Sequence, residues 1–316
     1  MITPEFIRSI PKTDLHLHLD GSLRPETLIA LARDAGVPLP SDTPEGLCET
    51  VFKPHYANLA EYLRGFALTC AALQQRDALE QAACELAEDC MAEGVRYIEV
   101  RFAPQLHTTG GLSIREAVQA VCAGLERARR ADRATADDPA SGIPFRYGLI
   151  LCAMRRCAPG MSAYFDALYR VMSHAPKREV CAAASLELAR AAVGRAREEG
   201  LPVTGFDLAG EEAGYPAIYH REAYAMVHRH CMRKTVHAGE AYGPESIFQA
   251  ITQCHANRLG HGTLLFAADR IADPAIDDPQ SYVDHLAEYV ANQRIGIEVC
   301  PTSNLQTLPH LRSLEE

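Results

Sequence analysis

The chain has 316 residues, 47% hydrophobic and 23% charged, a globular balance that excludes a disordered or collagen-like polymer. Its 31 lysines and arginines against 41 aspartates and glutamates give a formal charge of −10, which argues against nucleic acid or an anionic membrane as partner. No apolar run approaches the ~18–20 residues of a membrane span, and the opening MITPEFIRSIPKTD lacks the apolar stretch of a signal peptide.

Seven short apolar runs alternate with amphipathic stretches along the chain. The first, TDLHLHLD (13–20), is of strand length. Residues 40–75 interrupt the alternation. There Leu59, Tyr62, Leu63 and Phe66 fall at i, i+3, i+4 and i+7, one apolar helical face. Such a face is either ordinary core or a lid over a ligand, because insertions after a barrel strand lie at its active end. Residues 77–93 place Leu79, Ala83, Leu86 and Cys90 on one stripe, and Gly94 follows as a stop. VRYIEVRFAP (95–104) is the second strand. Residues 113–131 open with Ser113 and Glu116 at capping-box spacing. YGLILCAM (147–154) is a third strand, and an Ala- and Arg-rich helix is predicted over 183–199, ending at Gly200. Further strands are VTGFDLAG (203–210), KTVHAGE (234–240), RLGHGT (258–263) and IGIEVCPTS (295–303). The polar stretches 131–143 and 267–281 read as surface loops.

Strand followed by helix, repeated along the chain, implies parallel strands with helical crossovers. Periodicity leaves two architectures open, a doubly wound sheet or an (α/β)8 barrel lacking one strand. Without an internal repeat or a low-complexity linker, residues 1–316 read as one domain. The 11 cysteines are odd in number and form no CxxC. Several sit in helical stretches (Cys84, Cys90, Cys122), as small buried hydrophobes do, so a reducing cytoplasm is expected.

The chemistry is concentrated in histidines at strand ends. His16 and His18 lie two apart in the first strand and so share a face. Two adjacent imidazoles flanked by Asp14 and Asp20 suit a metal, and zinc is the redox-inert default for hydrolysis. His237 in VHAGE and His261 in LGHG end other strands, and Glu240 follows His237 by three. In a parallel barrel all strand C-termini meet at one face, so His16, His18, His237, Glu240 and His261 are expected to converge. His55, His107, His174, His220, His228, His230, His255, His285 and His310 read as surface or core. Asp207-Leu208-Ala209-Gly210 reads as a plain strand-to-loop turn. The P-loop pattern, GxSxG, HExxH and the HxE…PCxxC pattern of cytidine-type deaminases are all missing from the sequence.

Taken together, PKTDLHLHLDGSLRPET (11–27), YIEVRFAPQ (97–105), DLAGEE (207–212), KTVHAGE (234–240), RLGHG (258–262) and EVCPTSN (298–304) resemble the adenosine deaminase family, in the family's order. The resemblance implies a zinc-containing (α/β)8 barrel of TIM type that deaminates a 6-aminopurine nucleoside, giving inosine and ammonia from adenosine. It implies zinc on His16, His18 and His237, with Glu240 as proton donor and His261 beside the attacking water. It also implies that the Gly210 N–H meets the purine, that His18 and Asp20 face the ribose, and that the Leu59–Phe66 face covers the substrate. Zinc lowers the pKa of bound water towards ~7, and a buried, protonated Glu240 can donate to purine N1.

The family's Asp-Asp-Pro motif of the eighth strand, one aspartate on zinc and the next at purine N7, has no counterpart after EVCPTSN. Asp277-Asp278-Pro279 precedes the seventh strand in a polar stretch and is not that motif. The expectation is a barrel missing its eighth strand, as in a truncated form of a longer enzyme. The alternatives are a deaminase of adenine or of a modified adenosine (methylthio- or futalosine-type), another metal hydrolase of the wider barrel superfamily, and an impaired barrel that only binds a nucleoside. The superfamily hydrolases often place a lysine at a strand end, whereas Lys234 here starts its strand. The sequence leaves the oligomeric state open.

Overall fold

The structure is a computed structural model that describes residues 2–135, 142–194 and 199–308. Seven strands lie side by side in sequence order: β1 (Lys12–His18), β2 (Val95–Phe102), β3 (Arg146–Met154), β4 (Val203–Ala209), β5 (Arg233–Ala238), β6 (Arg258–His261) and β7 (Gly296–Glu298). Every neighbouring pair is parallel. With helices outside, they form a nearly closed barrel. No eighth strand stands between β1 and β7 among the described residues.

Strands β2 to β6 are largely buried on both faces, which is why they read as continuous apolar runs rather than alternating ones, whereas β1 is half-buried and β7 is exposed except at Glu298. In β3, the run from Gly148 to Ala153 is buried throughout. Inside β1 the register slips between Asp14 and Leu17, where β1 spends one more residue than β2. The His16 N–H is there satisfied by Asp14 Oδ1 at 3.0 Å. Such an irregularity re-aims side chains near a site.

The helices among the described residues are α1 (Pro4–Ser9), α2 (Pro25–Ala35), α3 (Pro44–Thr50), α4 (Leu59–Ala72), α5 (Arg76–Ala92), α6 (Ile114–Thr135), α7 (Ala163–Val171), α8 (Lys177–Val193), α9 (Arg221–Arg229), α10 (Pro244–Thr252), α11 (Pro279–Asn292) and α12 (Pro301–Thr307), of which α2 to α11 lie in the crossovers between strands. Their starts follow local chemistry. Ser113 and Glu116 exchange side-chain to backbone hydrogen bonds ahead of α6. Asp278 caps α11 by accepting from the Ser281 N–H at 3.0 Å, so Asp277-Asp278-Pro279 is a helix start.

Several boundaries differ from the sequence reading. The helix predicted at 183–199 begins at Lys177, one residue after a proline, and is described to Val193, with residues 195–198 outside the described residues. The strand predicted over 295–303 is only Gly296–Glu298, because Pro301 opens α12. The stretch 131–143 is not wholly loop: α6 continues to Thr135, and residues 136–141 fall outside the described residues, as does His310. Pro279 likewise ends the second polar stretch early. Helix α2 went unread, although Pro25 starts it and Gly36, in the left-handed region at φ 67°, stops it. No helix among the described residues is long and apolar enough to cross a membrane.

Helices α5 and α6 pack flush at Gly124. A Cβ there would lie 2.1 Å from Glu80 O and 2.9 Å from Ala83 Cβ. Alanine's higher helix propensity is worth about 1 kcal/mol, but the clash is with backbone, and overpacking costs about 1–3 kcal/mol. Gly124→Ala is therefore expected to lower the urea midpoint of unfolding, with an unchanged m-value. A raised midpoint would show that the two helices can separate freely.

Candidate active site

At the C-terminal end of the barrel, three imidazoles from two strands point at one spot. His16 Nε2 and His18 Nε2 each lie 3.1 Å from His237 Nε2. The three rings are tilted or edge-on to one another, with centroids 4.7–5.3 Å apart. Nothing in hydrogen bonding requires three ring nitrogens to crowd together. Tetrahedral zinc with Zn–N bonds of about 2.0–2.1 Å brings its donor atoms to separations of this order. The donor set fits a zinc-like divalent ion.

The rings are held from behind. His16 Nδ1 is 2.9 Å from Glu298 Oε2, and His237 Nδ1 is 3.0 Å from Asp207 Oδ2. Arg101 spans the two carboxylates, donating to Asp207 Oδ2 at 2.9 Å and to Glu298 Oε2 at 2.7 Å. It also donates to the Leu15 carbonyl at 2.5 Å. Arg101 and Asp207 are fully buried. Arg258 Nε reaches the other oxygen of Glu298 at 2.7 Å. Carboxylates behind ligating histidines fix the tautomer and raise ligand basicity.

The charge distribution follows from this packing. Burial, with Arg101 and His237 next in order, keeps His16 well below the ordinary histidine range; burial and then His237 do the same to His18. Both are thus neutral, as a metal ligand must be. Burial works against the Asp207 charge, but His237 and Arg101 outweigh it and hold the carboxyl well below its usual range. Glu240 is pushed up to about 7, chiefly by burial, and Asp20 to about 6 for the same reason.

His261 adopts φ 71°, a left-handed conformation uncommon for a side chain with a Cβ. Its Nδ1 is 3.4 Å from Asn304 Oδ1 and its Nε2 is 3.5 Å from Glu240 Oε1. Burial lowers it to about 3.

These groups open into a cavity of about 1400 Å³ whose lining includes His16, His18, Asp20, Gly210, His237, Glu240 and His261. The sequence-predicted site residues therefore share one space. Leu59, Tyr62, Leu63 and Phe66 of α4 all line the same cavity, and the Phe66 ring meets His18 edge-on at 6.0 Å.

The remaining histidines among the described residues stand apart from the three-imidazole cluster. His107 and His220 are buried, with Nδ1 on Leu73 O and on Ser185 Oγ. His228 stacks on His255 at 4.4 Å. His55, His174, His230 and His285 are exposed.

Four residues of this site went unassigned in the sequence: Arg101, Asp207, Glu298 and Asn304. Asp207 in particular is no plain turn residue, since its carboxylate sits between Arg101 and His237. One clue was available. Glu99 and Arg101 are charges two apart in a strand otherwise buried on both faces, and buried charges are kept only with partners.

The family model described as adenosine deaminase matches residues 11–316. Adenosine deaminase 1 of Streptomyces coelicolor is 40% identical over 313 residues, covering 96% of this chain and 68% of its own. Adenosine deaminase of Mycolicibacterium vanbaalenii is 40% identical over 310 residues, covering 97% of this chain and 75% of its own. Among solved structures, adenine deaminase from Arthrobacter aurescens superposes with TM-score 0.67 at 22% identity, over 94% of this chain and 74% of that one. A zinc-bound amidohydrolase from Burkholderia ambifaria gives TM-score 0.70 at 24% identity, over 98% and 71%. At these identities the structural likenesses establish the shared fold.

Removing Arg101 would leave Asp207 and Glu298 facing each other without their bridge. Breaking a buried pair costs about 3–5 kcal/mol. Arg101→Ala is expected to lose stability on that order in urea unfolding, with reduced metal content by elemental analysis. Wild-type values of both would show that the bridge is dispensable.

Proposed function

The chain belongs to the adenosine deaminase family, and from that premise we propose that it hydrolyses adenosine, and 2′-deoxyadenosine with it, to the inosine product and ammonia. The observation that carries this reading is the convergence of three imidazole Nε2 atoms, a buried carboxylic acid and a further neutral imidazole on one cavity. His16, His18 and His237 would hold one zinc ion per chain. Zinc there supplies Lewis-acid activation of water, a weak nucleophile at neutral pH.

The remaining chemistry belongs to side chains. Adenine C6 is a poor electrophile until N1 is protonated. Glu240, neutral over much of the physiological range because burial raises it to about 7, donates its proton to N1 as the water oxygen adds to C6. His261 is the base. If Asn304 Oδ1 accepts from its Nδ1–H, Nε2 is left bare to take the water proton. That proton passes to the 6-amino group, the C6–N bond breaks as ammonia leaves, and the proton left on the new C6 oxygen returns to the Glu240 carboxylate, leaving a C6 carbonyl beside N1–H. The Gly210 N–H, in a backbone at φ 102°, is offered to the purine edge, while Asp20 and His18 face the sugar. Tyr62, Leu63 and Phe66 cover the base with apolar surface and exclude water, as a lid over residues 40–75 would. A cavity of about 1400 Å³ has space for ribose beside the base. Because most of the eleven cysteines are buried thiols, we place the protein in a reducing cytoplasm.

An ultraviolet assay over adenosine, 2′-deoxyadenosine, adenine and N6-substituted adenosines tests the reading. Adenosine and its deoxy form should turn over best; inertness towards every purine, with metal present, would end it. Glu240→Gln should lower kcat by about 10²–10⁴-fold. A raised pKa means that the acid form persists up to about pH 7 and is lost above it. Wild-type kcat/KM should therefore fall on the alkaline side through about 7, and that limb should vanish in Glu240→Gln. His237→Ala should abolish stoichiometric zinc.

A further inference from the structure

The acid Glu240 is not on β5, which ends at Ala238, but on the turn that joins β5 to α10. A turn is a poor platform for a proton donor unless something fixes it, because catalytic groups must be held within a fraction of an ångström. Here one buried side chain from another loop does so. Glu212 lies just beyond β4 and is 3% exposed. Its Oε1 accepts from the Gly239 N–H at 2.8 Å and from the Ser246 hydroxyl. Its Oε2 accepts from the N–H groups of Glu240, Ala241 and Tyr242 at 3.0, 2.6 and 2.9 Å. Four consecutive amides thus wrap one carboxylate. The turn is shaped for it: Gly239 has φ 72°, and a Cβ there would stand 2.7 Å from Ile247 Cδ1.

We propose that Glu212 is a positioning residue for the deamination reaction, an internal anion around which the 239–242 turn folds so that the Glu240 carboxyl is presented to the substrate ring. The geometry also indexes two parts of the site to one another. Glu212 is two residues beyond Gly210, whose N–H is offered to the purine edge, so one short loop sets the position of the ring and of the acid that protonates it. Arg155 braces the same region, donating to the Tyr215 carbonyl at 2.7 Å and to the His237 carbonyl. The proposal rests on the deaminase reading for its catalytic meaning, but the clamp itself is observable without turnover.

Glu212→Gln tests it. A glutamine keeps the shape, removes the charge and turns an NH2 group towards amide donors that it cannot satisfy. Amide hydrogen exchange should then accelerate at Gly239–Tyr242 and not in β5 or β6. The steady-state expectation is a kcat lowered about 10- to 100-fold, a size typical of a lost oriented contact, with KM within about threefold. Zinc content and inosine affinity should stay at wild-type values. Affinity for a tetrahedral 6-hydroxy purine ribonucleoside should fall in step with kcat/KM, a correlation that a merely structural defect would not produce. Ser246→Ala, which removes one donor and keeps the anion, should show the same pattern at smaller size, and it decides the matter if Glu212→Gln does not fold. Unaltered exchange in the turn, or full kcat in a folded Glu212→Gln, overturns the proposal. Loss of kcat with equal loss of zinc overturns it as well. A wild-type protein inert towards every purine would instead sink the deaminase reading, and the exchange experiment would still report whether Glu212 holds the turn.

Discussion

A buried arginine between two buried carboxylates is the interaction on which the rest of this site depends. Arg101 is fully enclosed, as is Asp207, and Glu298 is nearly so. Each charge alone would carry a large desolvation penalty, so the three are tolerable only as a set. The set is placed where two of its members can also orient imidazoles. Asp207 and Glu298 each face Arg101 on one side and a histidine on the other. The barrel interior thus turns charge compensation, required for folding, into the rigid backing of a metal-type cluster.

The same desolvation prevails where neighbouring cations do not fully offset it, as at Glu240 and also at Glu298, whose carboxyl is raised by burial despite Arg101 and Arg258. Glu240 has no arginine bridging it and rises to about 7, while Asp207, deeper but flanked by Arg101 and His237, stays well below its usual range. Two carboxyls of one site, Glu240 at the cavity wall and Asp207 enclosed behind His237, are thereby shifted in opposite directions by their neighbours. Helix α4 contributes to this environment from outside the barrel, since its apolar face lines the cavity and limits water.

Much of this was legible in the sequence, for identifiable reasons. Strand spacing makes His16 and His18 neighbours whatever the details of β1, and the parallel topology brings His237, Glu240 and His261 to the same end. The register slip between Asp14 and Leu17 was invisible, because a bulge leaves no mark in an alternating pattern. Arg101 was visible as a charge in a buried strand, but its partners lie 106 and 197 residues away and nothing local names them. The short β7 was overdrawn because the apolar run continues past Glu298, although Pro301 marks where a helix takes over. Glu212 resembles any acidic loop residue, and its importance comes from four amides that only the folded turn presents.

The neighbour order of the strands has a temporal consequence. Each strand pairs with the next in the chain, so the wall of the barrel grows through contacts of modest sequence separation. The inner cluster does not. His16 meets His237 across 221 residues and Glu298 across 282. Long loops close late and at an entropic cost that only completed packing repays. On a ribosome, the first two imidazoles emerge long before the third imidazole and the carboxylate that complete their surroundings. The cluster is therefore among the last parts of the interior to be completed, because its third imidazole comes from β5 and the Glu298 carboxylate behind His16 from β7.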